Sequence, residues 1–154
     1  MRVSQKFPVA VHTIMIVAAM SSVRKINSDV ISESTGVNAV IIRNIFQSLK
    51  QANIIRVSPG PGGTTLARSP DDITLWDIFS SVEPMNTDDI FKFHKQPDEH
   101  CLIGGNIYGL LKHHLDDSIC ALREELSKVT IAMMVDELRG IMPELPPLPD
   151  KSEE

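Results

Sequence analysis

SDVISESTGVNAVIIRNIFQSLKQ, Ser28–Gln51, is the stretch whose reading decides the fold. Its first part, 28–34, predicts a short helix capped by Ser28, with Asp29 in the first turn, where the helix dipole favours a negative charge. Thr35-Gly36-Val37 reads as a turn, and Asn38 as the cap of a longer helix over 39–51. Ile41, Ile42, Ile45, Phe46 and Leu49 recur there at helical spacing and form one apolar stripe. The opposite face carries Val40, Arg43, Asn44, Gln47 and Lys50. A short helix, a glycine turn and a second, two-faced helix make a helix-turn-helix, whose second helix can lie in the major groove of DNA.

A hairpin is expected next: Ile54–Val57, a tip at Pro59–Gly63, then Thr65–Ala67. Helix-turn-helix followed by hairpin is the winged-helix order. Gly60, Gly62 and Gly63 let the backbone approach another surface closely, and the two prolines stiffen it. With no bulky side chain in the way, the tip can follow a phosphate backbone or enter the minor groove. A plain hairpin turn has the same composition and stays an alternative. No Gly-Lys-Ser/Thr follows and no helix starts there, so a nucleotide phosphate loop is excluded. Upstream, 6–20 predicts a helix capped by Ser4, with Pro8 tolerated in its first turn.

Downstream, a helix begins near Thr74, with Leu75, Ile78, Phe79 and Val82 inward and Trp76 at its edge. Residues 83–100 are polar and irregular. Ile103, Ile107, Leu111, Leu115, Ile119, Leu122, Leu126 and Val129 then recur every three or four residues. A helix over 102–128 would be roughly 40 Å long, more than one small globule covers, so this stripe predicts packing against a copy of itself. Thr130 caps a last helix, 131–140, with Ile131, Met134, Val135 and Leu138 inward. The expected fold is mostly α with a small β-hairpin. A winged helix-turn-helix domain occupies 1–82, a loop 83–100, dimerisation helices 101–140 and a flexible Pro/acidic tail 141–154.

Charge divides the chain the same way. Residues 1–70 hold eight Lys or Arg against two acids; residues 71–154 hold seven against eighteen. A basic half joined to an acidic half suggests that one end meets a polyanion. No apolar run reaches the length of a membrane span, no signal-peptide pattern is present, and two cysteines 19 apart make no disulfide scaffold, so a cytoplasmic protein with free thiols is expected. No Ser-His-Asp order, catalytic carboxylate pair or cofactor fingerprint emerges, and no enzyme is expected. His94, His100, Cys101, His113 and His114 match no closed zinc spacing, so no metal is expected either.

The order of a helix, Gly36–Gly63 (GVNAVIIRNIFQSLKQANIIRVSPGPGG), Ser69–Glu83 (SPDDITLWDIFSSVE) and a cysteine opening a long helix resembles the IscR–NsrR–CymR family of bacterial winged-helix regulators (the Rrf-two type). The resemblance covers about residues 3–140. It implies a homodimer on a palindromic promoter site of double-stranded DNA, with the long helices crossing at the interface. Cluster-binding members carry three cysteines before and at the start of the long helix. Here only Cys101, in CLIGGNI, stands there, which resembles the cluster-free, YwnA-like subgroup and implies no iron–sulfur cofactor. Many relatives have an Arg before the first wing glycine and an aromatic after the last. This chain has Pro59 and Thr65, leaving Arg56 or Arg68 to substitute.

The DNA-contact candidates are therefore Asn38, Val40, Arg43, Asn44, Gln47 and Lys50 on the second helix, Arg56 and the three wing glycines on the hairpin, and Ser4 and Lys6 ahead of the first helix. Arg43 and Asn44 have the donors for guanine and adenine edges; Ser4, Lys6, Lys50 and Arg56 suit phosphates. Cys101, at a helix N-terminus, would have a depressed thiol pKa and could serve as a redox sensor, against the plainer role of a packed small residue. A Cys101–Cys120 bridge within one straight helix is excluded, since about 28 Å would separate the two. Two readings follow: a dimeric DNA-binding regulator, a repressor, with no effector legible in the sequence; and a winged-helix protein-interaction module that has lost DNA binding.

Overall fold

A computed structural model describes residues 4–83, 90–94, 97, 98, 100–146 of the chain. Helix α1 (Lys6–Met20) leads to α2 (Ser28–Thr35) and α3 (Ala39–Gln51). Strands β1 (Ile55–Ser58) and β2 (Gly63–Leu66) form an antiparallel hairpin, and a 3-10 turn (Pro70–Asp72) leads into α4 (Leu75–Val82). Helices α5 (Ile107–Ser127) and α6 (Ile131–Ile141) complete the chain.

The helix-turn-helix is set by its caps. Asn27, one residue before the expected Ser28, accepts from the amides of Asp29 and Val30 and starts α2. Gly36 ends it at φ 70°, a left-handed conformation that glycine adopts without the Cβ penalty. Asn38 then accepts from the Val40 amide at 2.8 Å and starts α3. Of the expected α3 stripe, Ile42, Ile45, Phe46 and Leu49 are buried, but Ile41 is 47% exposed. Ile41 faces an open 330 Å³ cleft with Val9, Val37 and Val82, because the burying neighbours lie on the other edge of the stripe.

One core joins α1, α2, α3, β1, α4 and α6. Ile14, Val17, Ile31, Ile42, Leu49, Ile54, Ile78, Ile131 and Val135 pack into it with next to no exposure. Each such side chain contributes about 1.5–3 kcal/mol relative to an exposed one. Helix α6 was expected on the dimerisation side of the chain, yet it closes the winged-helix core. The segment before it explains this: Leu75 N donates to Val129 O and Ile131 N to Ile73 O, both at 2.9 Å, around a Thr74–Thr130 bridge. Thr74 and Thr130 each form a capping box, starting α4 and α6 side by side.

The remaining differences are local. The strands sit at 55–58 and 63–66 rather than 54–57 and 65–67, with Ile55 opposite Leu66 and Ser58 opposite Gly63. The long helix begins at Ile107, five residues later than expected, after a run of turns over 101–106. Its 21 residues span roughly 31 Å. At the C-terminus, Leu145 packs against the core and Arg139 donates to Pro146 O at 3.0 Å, so the tail is docked as far as 146. The tail residues 147–154, and 84–89 with 95, 96 and 99 of the loop, lie outside the described residues.

Candidate nucleic-acid interface

The outer face of α3 presents Val40, Arg43, Asn44, Gln47 and Lys50 together, all exposed to solvent. Val40 is 58% exposed and offers a methyl surface of the kind that meets thymine. Asn38 spends its amide oxygen on the cap and keeps its amide N–H groups outward. Arg43 is steered: its Nε donates to Ser28 Oγ at 3.3 Å and its Nη2 lies 3.7 Å from Asp29 Oδ1. Both members of that ion pair are more than half exposed, so it is worth at most about 1 kcal/mol and orients the guanidinium without locking it. Lys50 in the last turn also complements the helix dipole.

The wing lies beyond β1. Gly60 is exposed at φ 71°, and a Cβ there would meet nothing within 4 Å, so its backbone can approach another surface. Gly62 has a different role: a Cβ would fall 2.6 Å from Ser58 Cβ, across the tip. Gly63, expected on the DNA side, is buried. At φ 69° its missing Cβ leaves room for Lys25 Cγ and the Ile26 backbone. There Thr64 N donates to Ile26 O at 2.8 Å, docking the α1–α2 connection against β2.

The other basic candidates are not equivalent. Arg56 is exposed and reaches back to Ala67 O at 3.4 Å. Arg68 is tethered: it donates to Asp72 O at 3.1 Å and lies 3.4 Å from Asp77 Oδ2, with its side chain 32% exposed. It therefore ties β2 to α4 and does not point from the wing. Ser4 is also engaged internally, donating to Glu83 Oε1 at 2.5 Å and accepting from the Lys6 amide at 3.1 Å. Lys6 itself is exposed beside Asn44, both lining the cleft at Ile41. Sequence reasoning missed Lys25, whose ammonium donates to the Gly60 carbonyl at the wing tip.

Cys101 lies in the turn before α5, not at a helix N-terminus. Its exposed thiol accepts backbone N–H groups from Gly104 and then Ile103, which hold its pKa below the ordinary 9.0 despite slight desolvation. The physical cause is this local turn rather than the α5 dipole. Ile103 sits in the same turn, 74% exposed. The rest of the expected dimer stripe, Ile107, Leu111, Leu115, Ile119, Leu122 and Leu126, runs along α5, and no residue of that helix is buried.

The chain matches the Rrf2 family, described as iron-dependent transcriptional regulators, over residues 3–137. It belongs to that family. The protein is thus a member of a transcriptional-regulator family of winged-helix fold, not of an enzyme family. It is 26% identical over 136 residues to YwnA of Bacillus subtilis, a candidate HTH-type transcriptional regulator, covering 88% of this chain and 98% of that one. A candidate transcriptional regulator from Lactobacillus plantarum shares the fold at a TM-score of 0.71 and 24% identity, over 87% of this chain and 89% of that one. IscR of T. potens does so at 0.62 and 20%, over 92% and 90%. The family description raises iron, but the donor set does not fit a three-cysteine cluster. Cys101 stands alone in its turn, Cys120 lies well inside α5, and among the described residues no three His, Cys, Asp or Glu side chains converge. Nor, among the described residues, is any helix long and apolar enough to cross a membrane.

Proposed function

We propose that this regulator is a cytoplasmic homodimer that binds a palindromic promoter site through its two α3 helices and represses by occupying it. The observation that carries the reading is the exposed α3 face, Arg43 to Lys50, set beside a wing whose apex backbone is open. Residues of α1–α4 form the DNA-binding part, with Asn38, Val40, Arg43, Asn44 and Gln47 toward bases and Lys6, Lys50, Arg56 and the Gly60 backbone toward phosphates. The α5 stripe supplies the dimer contact, and the function uses no iron–sulfur cluster. The exposed, acidified Cys101 supports a thiol response.

Selection of genomic fragments bound by the full chain, under reducing and oxidising conditions, tests the reading. Enriched fragments should share an inverted repeat with half-sites about one helical turn apart. Arg43→Ala should weaken binding by about 1–3 kcal/mol and relax one base position. Unenriched fragments, or a motif without symmetry, would refute the dimeric reader. Identical profiles in the two conditions would remove the thiol response. The tethered Arg68 and the cation-free tip favour a second reading, a protein-interaction module; complete absence of a gel shift at low salt would select it.

A further inference from the structure

We infer that the wing tip takes its positive charge from outside the hairpin, and that Lys25, on the α1–α2 connection, is the phosphate contact there, beyond Arg56 on β1. The inference rests on the DNA-binding reading above and adds a residue to it.

The hairpin tip, Ser58–Gly63, contains no cation. Of its flanking arginines, Arg68 is held by Asp72 and Asp77, and Arg56, though exposed, reaches back to Ala67 O at the foot of the hairpin and leaves the tip itself uncharged. Lys25 fills the gap by two contacts of its own and one of its neighbour's. Its ammonium donates to the carbonyl of Gly60 at the apex. Its Cγ occupies the space a Cβ would claim on Gly63, at 2.8 Å. Its neighbour Ile26 is fixed to β2 through the Thr64 amide. The connection and the wing are therefore tied together at both Lys25 and Ile26.

An ammonium has three N–H donors and no acceptor. One is used on Gly60, which leaves two for phosphate oxygens on whichever strand the tip follows. The side chain is exposed, and among the described residues no carboxylate pairs with it, which suits its charge to an incoming anion. Because the Gly60 carbonyl already holds the head group, less rotamer freedom is lost when DNA arrives. An ammonium is a point charge rather than a bidentate reader, so the contact should be indifferent to sequence.

The test measures affinity across a salt series for two duplexes, the protein's own promoter fragment and a scrambled sequence of equal length. It compares wild type, Lys25→Met and Lys25→Arg in the full chain. Lys25→Met should flatten the log–log salt slope by about one unit and lower affinity for both duplexes by the same factor, while Lys25→Arg keeps the slope. Thermal unfolding identifies any variant that has lost its fold, and Lys25→Arg keeps the charge if the clamp to Gly60 matters for folding. An unchanged slope in Lys25→Met, a loss confined to the promoter fragment, or an equal slope loss in Lys25→Arg would overturn the assignment while leaving the α3 reading intact. Wild-type protein that binds neither duplex would end both.

Discussion

Helices α3 and α5 are written in the same way, with Ile or Leu at every third or fourth position, yet they come to opposite ends. In α3, Ile42, Ile45, Phe46 and Leu49 are buried. In the longer α5 nothing is, and Leu110 and Leu111 remain 62% and 42% exposed. The cause is what the chain places against each. Helix α3 lies among α1, α2, α4 and β1, whereas α5 leans on α4, where Arg123 sits 5.9 Å from the Trp76 ring centre. An amphipathic stripe needs a complement, and a single copy supplies only part of one to α5. Ile107, Leu115, Ile119, Leu122 and Leu126 are only half-buried and Leu111 is exposed, and this incomplete cover is the physical basis for the proposed homodimer.

Breaking the α5 side of the comparison should give the largest effect. Leu115→Asp with Leu122→Asp places two charges in the stripe without touching the core. Sedimentation should show monomers whose circular dichroism retains the winged helix. Apparent affinity for a two-half-site duplex should fall roughly 10²–10⁴-fold as avidity is lost. A variant that stays dimeric would show that the stripe is not the interface.

Breaking the α3 side should cost less and act differently. Leu49→Ala leaves a cavity in the common core and should destabilise by about 2–5 kcal/mol, read by denaturant unfolding at any protein concentration. The same change at Leu115 should instead lower the melting temperature in a concentration-dependent way, because it weakens association rather than the fold. Equal, concentration-independent losses at the two positions would erase the distinction between the helices.

Most helices were legible because their ends carry specific chemistry. Asn38 and Thr130 cap in the structure as they read in the sequence, and Thr74, near which the sequence starts α4, proves to be its cap. Ser28 misled because Asn27 beside it caps equally well, and a one-residue choice between two good caps is not resolved by spacing. The start of α5 was misplaced for a related reason. Ile107 N bonds to Ile103 O at 2.9 Å in an isolated turn, so the stripe's period runs on through residues that are not helix. Gly104 and Gly105 were the signal that could have found this. Contacts between distant segments left no local trace. Nothing in the neighbourhood of Lys25 announces Gly60, and the nine-residue separation of Arg68 from Asp77 matches no helical or strand pairing. For the same reason α6 could not be assigned to the core, since its Ile131–Ile73 contact spans the whole of α5.

The turn ahead of α5 sharpens the comparison from its far end, with the smallest expected effect. If Gly104 and Ile103 amides hold the Cys101 thiolate, disturbing that turn should raise the thiol pKa without moving α5. Gly104→Ala does this, because its Cβ would fall 2.4 Å from the Asp98 carbonyl oxygen and force the turn open. In a Cys120→Ser background, the rate of alkylation against pH should have its midpoint below 9.0, and Gly104→Ala should move it upward. Linkage has a definite sign here: a depressed thiol pKa favours the fold above the unfolded value, and that contribution is lost as pH falls through the folded one. For so exposed a group the change in stability should be too small to shift the melting curve, so the kinetic profile is the measurement to make. Coincident midpoints for the two proteins would mean that the amides do not stabilise the thiolate. Cys101 would then be an ordinary exposed thiol, and its proposed response would lose its physical cause.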